Sequence, residues 1–320
     1  MRVADSTAVS SMTVGQAGTV GIVGVGNMGG GMAANLLGRG WAVQVCDVDL
    51  LKVKECEALG AVPCATPAAA AASAGALIIC VVDAAQSAEV LFGKDGAAAA
   101  MQPGGTVVLC PTISPLDVES LSARLLALGV DVVDAPMSGG PARARDGSMS
   151  LMVACANAVF ARQQPLLEAL SSKLFRISQR PGDGARTKLV NNLLAGINLS
   201  GAAEALAMAQ AMGLDLAKTL DVIEQSSGQS WIGTDRMRRA LAGDYAPRAH
   251  VTLLEKDTRL AVEAAAAAGF TGPLGGHAAR LFALAHEAGF AADDDAALFK
   301  LLGRKAGSSL PPPTGKEAKT

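Results

Sequence analysis

Val20-Gly21-Ile22-Val23-Gly24-Val25-Gly26-Asn27-Met28-Gly29 is the stretch of sequence that decides the fold. It opens with a short apolar run of the kind that forms a buried strand, and it continues into the spacing G-x-G-x-x-G. After Gly29 the apolar residues Ala33 and Leu36 recur at helical spacing. A strand, a glycine-rich turn and a helix in immediate succession predict the first unit of a doubly wound α/β sheet.

Short apolar runs bounded by Gly, Pro, Asp or Ser continue through the first half of the chain, with helix-like stretches between them. The predicted strands cover residues 20–25, 42–46, 77–82, 106–110 and 130–133. Two further candidates, 148–154 and 173–177, extend the sheet at its edge. Strands that alternate with helices predict a Rossmann-type, doubly wound parallel sheet domain over residues 18–181.

The pattern changes near Gly182, after which the strand signals stop. Residues 185–212 contain no proline, and Leu189, Leu193 and Ile197 recur at helical spacing, so one long helix is predicted there. An all-α C-terminal domain is therefore expected over 182–307, and its other predicted helices cover 216–224, 251–268 and 277–288. Residues 1–17 are predicted to be a flexible leader and 308–320 a disordered tail.

The composition excludes several classes of partner. The formal net charge of −2 gives no basic surface for nucleic acid, and no apolar run reaches the length of a membrane span. The six cysteines form no C-x-x-C pair, and the three histidines lack further ligands at metal-binding spacing, so no metal is expected. Cysteines within apolar runs indicate a reduced, cytoplasmic protein.

The glycine-rich turn has the features of a dinucleotide site. Gly24 permits the tight turn, Gly26 lets the backbone approach a pyrophosphate, and Gly29 lets the helix lie close to the strand. The phosphates would lie at the helix N-terminus, beside Asn27 and Met28, where free N–H groups favour negative charge. The alternative for this stretch is a structural turn without a ligand.

An acidic residue follows the second predicted strand, as a dinucleotide site requires. The Asp47 carboxylate can accept hydrogen bonds from the ribose hydroxyls, and it would repel the additional phosphate of NADP. NAD is therefore the expected cofactor. Lys52 and Lys54 lie close enough in the sequence to leave NADP open as a second cofactor.

Four blocks of residues, in order over about residues 19–303, resemble the β-hydroxyacid dehydrogenase family. Shorter stretches, among them Ser227-Gly228-Gln229-Ser230-Trp231, resemble its L-threonate dehydrogenase-like branch. The four blocks are Gly21 to Gly29, Asp134-Ala135-Pro136-Met137-Ser138-Gly139-Gly140, Gly182-Asp183-Gly184 with Lys188, Asn191 and Asn192, and Lys256-Asp257 followed by Leu260.

The resemblance implies that Ser138, Gly139 and Gly140 hold the carboxylate of the substrate and that Lys188 is the acid/base residue. Asn192 lies four positions after Lys188, on the same helical face, and could fix the substrate's hydroxyl or carboxylate. A lysine can take the proton of an alcohol as hydride leaves if burial lowers its pKa. From residue type alone, an exposed lysine on a solvated helical face is the stronger interpretation.

The remaining candidate site residues also follow from the resemblance. Lys256 is expected to approach the cofactor, with the adjacent Asp257 orienting it. The family meets NAD at positions that match Val82-Asp83 and Thr112, which follow predicted strands at the sheet edge where ligands bind. Asp83 departs from the proline common there. Trp231 either lines the substrate pocket or belongs to the core.

The expected activity is reversible hydride transfer between NAD and the alcohol carbon of a small hydroxy acid, most closely an acid like L-threonate. Reduction of 2-hydroxy-3-oxopropionate (tartronate semialdehyde) and oxidation of 3-hydroxyisobutyrate are the alternatives within the family. A non-catalytic NAD-binding sensor is the alternative of another class. The apolar helical half indicates a homodimer or homotetramer.

Overall fold

The computed structural model describes residues 18–303. The predicted leader, 1–17, and the predicted tail, 308–320, lie outside the described residues. The chain divides into two compact units at Pro181, except that the segment Thr112–Val118 belongs with the second. We call them the sheet unit, which extends to Pro111 and resumes over Glu119–Pro181, and the helical unit, which comprises Thr112–Val118 and the chain from Gly182.

The sheet unit contains one nine-stranded sheet with the strand order β3-β2-β1-β4-β5-β6-β8-β7, and β9 pairs with β8. The order reverses between β1 and β4, which is the point where ligands bind in sheets of this kind. The strands are β1 Val20–Val23, β2 Val43–Cys46, β3 Val62–Pro63, β4 Ala76–Ile79, β5 Thr106–Leu109, β6 Asp131–Asp134, β7 Met137–Ser138, β8 Met149–Ala154 and β9 Ser171–Ser178.

Seven helices connect these strands. Side chains in the sequence fix where three of them begin: Asp49 caps α2, Thr66 caps α3 and Asp83 caps α4, each by accepting a backbone N–H. The helices are α1 Asn27–Gly38, α2 Leu50–Glu57, α3 Pro67–Ala71, α4 Ala84–Phe92, α5 Pro115–Ala127, α6 Gly140–Asp146 and α7 Asn157–Leu170. Small aliphatic side chains, among them Ile22, Ile78 and Val108, form the buried core between strands and helices.

The predicted α/β fold class is confirmed, with one difference in strand direction. Strands β1 to β6 are parallel, whereas β8 runs antiparallel to both β6 and β7. The register shows why: β6 and β7 pair with successive parts of β8. Only the seven-residue α6 separates β7 from β8, which is too short for a parallel crossover. Strands β3 and β7 were not predicted, because two residues show no periodicity.

In the helical unit one long helix, α8, packs against all the other numbered helices from α9 to α13. With 29 residues, α8 spans about 44 Å. The helices are α8 Asp183–Ala211, α9 Leu216–Glu224, α10 Trp231–Leu241, α11 Val251–Ala267, α12 Pro273–Ala285 and α13 Leu298–Leu302. Leu199, Met237 and Phe282 are among the residues of their common core. Over residues 18–303, no helix combines the length and apolar character needed to cross a membrane.

Candidate active site

Two glycines of the first turn are required by backbone geometry. Gly24 follows β1 with φ +89°, and a Cβ there would lie 2.6 Å from the carbonyl oxygen of Cys80. A Cβ at Gly29 would lie 1.9 Å from the carbonyl oxygen of Gly24. Both contacts are far below van der Waals distance, so any larger residue would push α1 away from the sheet.

The glycine between them, Gly26, has a different environment. It is the N-cap residue of α1, and a Cβ built there meets nothing within 4 Å. No side chain caps the helix, and no acidic residue lies in its first turn. The first N–H groups of a helix, here those of Asn27 and Met28, have no acceptor within the helix. Open space beside such donors fits a pyrophosphate, so this turn can accommodate a dinucleotide.

Asp47, which follows β2, is bonded to the same turn. Its Oδ2 accepts the N–H of Val25 at 2.6 Å, and its Oδ1 accepts the N–H of Asp49 at 2.8 Å. Each carboxylate oxygen retains a lone pair for a further donor, such as a ribose hydroxyl. Lys52 is half-exposed and forms a hydrogen bond with Glu55 at 3.0 Å. Its charge is therefore shared with a neighbouring carboxylate.

Val82 and Asp83 follow β4 at the same edge of the sheet. Val82 is 53% exposed, and its N–H donates to Oε1 of Gln86 at 3.1 Å. The Asp83 carboxylate accepts the N–H of Gln86 at 2.8 Å and so begins α4. The aspartate at this position thus has a local structural role as a helix cap.

Ser138, Gly139 and Gly140 form a second turn rich in backbone donors. Ser138 ends β7 and pairs with Ser150 of β8. Gly139 and Gly140 have φ values of +131° and +75°, a conformation that L side chains rarely adopt. Successive N–H groups in a turn with such φ values can point into one concavity, which suits a carboxylate.

Lys188 and Asn192 lie one turn apart on α8, and both are buried, with 7% and 9% of their surface exposed. The interpretation of Lys188 as a solvated surface residue is therefore wrong. Burial lowers the pKa of the Lys188 ammonium below its ordinary value; the charge of Asp257 opposes this effect and that of Lys256 adds to it. The neutral amine is therefore more populated at Lys188 than at an exposed lysine.

Asn192 and Lys256 meet at a buried carboxylate. Nδ2 of Asn192 donates to Oδ2 of Asp257 at 2.6 Å, and Nδ2 of Asn191 donates to Oδ1 of Asn192 at 3.0 Å. Lys256 forms an ion pair with Asp257, with 2.8 Å between Nζ and Oδ1, and also donates to the carbonyl oxygen of Thr112. All five residues belong to the helical unit.

The bond between Asn192 and Asp257, which are 65 positions apart, was not predicted from the sequence. Trp231 is the first residue of α10 and is 63% exposed, so the interpretation as a core residue is wrong. Of the six cysteines, four are buried and two are intermediate, and all are free. Among the described residues, no three His, Cys, Asp or Glu side chains are grouped so that they could hold a metal ion.

Both halves of the chain match models of known families. Residues 19–178 match the NAD binding domain of 6-phosphogluconate dehydrogenase. Residues 182–302 match the region described as NAD-binding of NADP-dependent 3-hydroxyisobutyrate dehydrogenase. The first match covers half of the chain, and together the two extend from the glycine-rich turn to α13. The prediction of an NAD-type cofactor is therefore confirmed.

Similar proteins are hydroxyacid dehydrogenases over nearly their full length. L-threonate dehydrogenase of Cupriavidus necator is 37% identical over 88% of this chain and 95% of its own. 3-Hydroxyisobutyrate dehydrogenase of Pseudomonas aeruginosa is 36% identical over 83% and 91%. A crystal structure of 3-hydroxyisobutyrate dehydrogenase from Salmonella typhimurium superposes with a TM-score of 0.83 at 39% identity, over 88% of this chain and 99% of that chain. The chain belongs to the β-hydroxyacid dehydrogenase family, the NAD(P)-dependent oxidoreductases of the 3-hydroxyisobutyrate dehydrogenase type.

Proposed function

We propose that this dehydrogenase oxidises the alcohol carbon of an acid like L-threonate and uses NAD in preference to NADP. The observation that carries the proposal is the burial of Lys188, one helical turn from Asn192, with its pKa below that of a free lysine. A buried amine next to an amide is a suitable proton acceptor for a small alcohol. The similarity to L-threonate dehydrogenases supports the choice of acid.

Lys188 and Asn192 have different roles at the reacting carbon: Lys188 transfers the proton, and Asn192 binds the substrate oxygen. The neutral amine of Lys188 accepts the hydroxyl proton during oxidation, and the ammonium returns it during reduction. NAD, when bound, supplies the hydride acceptor. Asn192 uses one N–H on Asp257, and its second N–H holds the oxygen of the substrate. Because oxidation requires the neutral amine, lowering the pKa of Lys188 extends oxidation toward neutral pH.

The turn Ser138-Gly139-Gly140 is proposed to hold the substrate carboxylate through its backbone N–H groups and the Ser138 hydroxyl. The two positive φ values make this shape dependent on glycine. A fixed carboxylate sets the position of the reacting carbon, and positioning of this kind can supply several kcal/mol of the barrier, roughly 7 or more in favourable cases. The exposed Trp231 is proposed to border the substrate.

The cofactor is proposed to extend along the carboxyl edge of the sheet. The pyrophosphate would lie on the turn, and Asp47 would accept the ribose hydroxyls. The engagement of Lys52 with Glu55 supports the preference for NAD, because that cation is already paired. The positions proposed to meet the cofactor are Gly24, Gly26, Asn27, Met28, Asp47, Val82, Asp83, Thr112 and Lys256.

Oxidation of 3-hydroxyisobutyrate and reduction of 2-hydroxy-3-oxopropionate are second candidates, because relatives at 36% and 32% identity carry those names. A non-catalytic NAD sensor would have no use for a buried lysine beside an asparagine. Burying a lysine costs free energy unless its charge is paired or its pKa falls, and an enzyme has a use for a lysine of lowered pKa.

The test is NADH formation with L-threonate, D-threonate, D-glycerate and 3-hydroxyisobutyrate, each with NAD and with NADP. We expect turnover of L-threonate with NAD and a loss of at least about a hundredfold in Lys188→Ala. Lys218→Ala, which removes an 84% exposed lysine from α9, is the matched control. Turnover of a different acid would replace the substrate assignment, and unchanged turnover in Lys188→Ala would refute the role of Lys188.

A homo-oligomer completes the proposal. Helix α8 leaves Val190, Leu194 and Met208 exposed at 71%, 57% and 61%, and apolar residues exposed on one helix can mark a contact with another subunit. We expect a dimer or tetramer by light scattering, and a smaller species when Val190 and Leu194 are both replaced by Asp. A monomeric native chain would refute this.

The free cysteines support a cytoplasmic location.

A further inference from the structure

Asp257 is a buried carboxylate between two polar side chains of the proposed site. It is 7% exposed, and each of its oxygens has a different partner. Oδ2 accepts Nδ2 of Asn192 at 2.6 Å, and Oδ1 lies 2.8 Å from Nζ of Lys256. The bond from Asn192 is a charge-assisted hydrogen bond, which is stronger than a neutral one, whereas the contact with Lys256 is an ion pair without hydrogen-bond geometry.

These contacts fix which end of the Asn192 amide is available. Its Oδ1 accepts Nδ2 of Asn191 at 3.0 Å, and one hydrogen of its Nδ2 is given to Asp257. A flipped amide would place the Asn192 carbonyl against the carboxylate, where two acceptors repel each other. The carboxylate therefore holds Asn192 as a donor, with one N–H left for the oxygen of a substrate.

The same carboxylate acts on Lys188 by its charge. Helix α8 packs against α9 to α13, and the charged groups that shift the pKa of Lys188 are Asp257 and Lys256, both on α11. Asp257 raises this pKa and Lys256 lowers it, while burial lowers it most. Without the carboxylate, the cation of Lys256 would act on Lys188 without opposition.

We propose that Asp257 is the positioning residue of this site: it orients Asn192 as a hydrogen-bond donor and supplies the negative charge that balances Lys188 and Lys256. The inference rests on the proposed function in one respect only, namely that Asn192 and Lys188 meet the substrate. The arrangement also assigns Lys256 a second role besides contact with a cofactor, because its ion pair holds the carboxylate in place.

The test separates charge from geometry in the full-length protein. Asp257→Asn removes the charge, Asp257→Glu keeps it but lengthens the side chain, and Glu255→Gln is the matched control. Glu255 lies on the same helix, but its carboxylate pairs with His286 at 2.7 Å. The first readout is the titration of Lys188, followed by NMR on lysine labelled at Cε, with Lys188→Arg to assign the signal. The second is the pH profile of kcat/KM for alcohol oxidation.

In Asp257→Asn we expect the Lys188 midpoint and the acid limb of the profile both to move to lower pH. Maximal oxidation should fall roughly tenfold, the size of one lost charge-assisted hydrogen bond. Asp257→Glu should keep the wild-type midpoint while losing a similar factor in rate, and Glu255→Gln should change neither. Thermal unfolding verifies that each variant is folded.

An unmoved Lys188 midpoint in folded Asp257→Asn would overturn the inference, whatever the rate. A rate loss without a moved midpoint would mean that Asp257 only supports the packing of α11. The NMR titration does not depend on turnover. If it shifts as expected while the wild-type protein oxidises no hydroxy acid, the proposed function fails and the charge assignment stands.

Discussion

Replacing Gly26 by alanine adds one methyl group in the open space at the N-terminus of α1. The backbone of Gly26 is extended, with φ −63° and ψ −157°, and the added Cβ meets nothing within 4 Å. Alanine therefore fits the folded chain without a clash. A bound pyrophosphate, however, would have to occupy the same space, because close approach of the backbone is the reason for glycine at this position.

The two effects have different expected magnitudes. The free energy of unfolding should stay the same or rise by about 0.4–1 kcal/mol, because alanine restricts the unfolded chain. The Kd for NADH should rise by at least about tenfold, which corresponds to about 1.4 kcal/mol. Gly24→Ala should differ: its positive φ costs about 1–2 kcal/mol, and its contact of 2.6 Å with Cys80 adds further destabilisation.

The assay compares the Kd for NADH, from protein fluorescence quenching or calorimetry, with the thermal unfolding midpoint of each variant. Gly75→Ala is the matched control, since a Cβ there also meets nothing within 4 Å and Gly75 precedes β4, at the opposite edge of the sheet. If Gly26→Ala bound NADH as tightly as Gly75→Ala, the turn would not be the pyrophosphate site. A loss of binding that simply followed a lower unfolding midpoint would also refute the reasoning.

Three further predictions concern buried charge and the cofactor. The pKa of Lys188 is lower in the folded protein than in the unfolded chain, so at pH values between the two the unfolded chain binds more protons. The free energy of unfolding should therefore rise with pH over that range. Urea titrations of Lys188→Met should not show this rise. Asp47→Asn should raise the Kd for NADH about tenfold and narrow the difference from NADPH, measured as the ratio of the two Kd values. Asp294 is fully buried and accepts hydrogen bonds from the Arg239 side chain at 2.7 Å and the N–H of Arg248 at 2.9 Å. Asp294→Asn should therefore lower the free energy of unfolding of the protein by about 3–5 kcal/mol, and an unchanged urea midpoint would contradict this.

The sequence predicted the bounds of helices and turns well where neighbouring residues along the chain set those bounds. The predicted helix 216–224 has the observed bounds Leu216–Glu224, because Asp215 accepts the N–H of Lys218 and so fixes the first turn. The glycine spacing predicted the turn between β1 and α1 for the same reason. Gly24 and Gly29 are constrained by neighbours that any strand-turn-helix unit would bring close.

Features that depend on distant partners were not accessible in this way. The start of α12 is a different case, because its signal is local: the predicted helix 277–288 begins at Pro273, a residue well tolerated in a first turn, and ends at Ala285. The antiparallel direction of β8 follows from its pairing with β6 and β7, and periodicity contains no information on strand direction. A two-residue strand such as β3 exists only because β2 pairs with it.

The sequence by itself determined the α/β fold class, the glycine turn with its acidic residue Asp47, and the family, because all of these depend on residue type and spacing along the chain. The tertiary structure decided the burial of Lys188. Its residue type predicts an exposed cation, whereas in the folded chain it is 7% exposed, on a helix that packs against α9 to α13. The same packing brings Asp257 to Asn192 across 65 positions, because burial and charge depend on neighbours in space that a linear pattern does not specify.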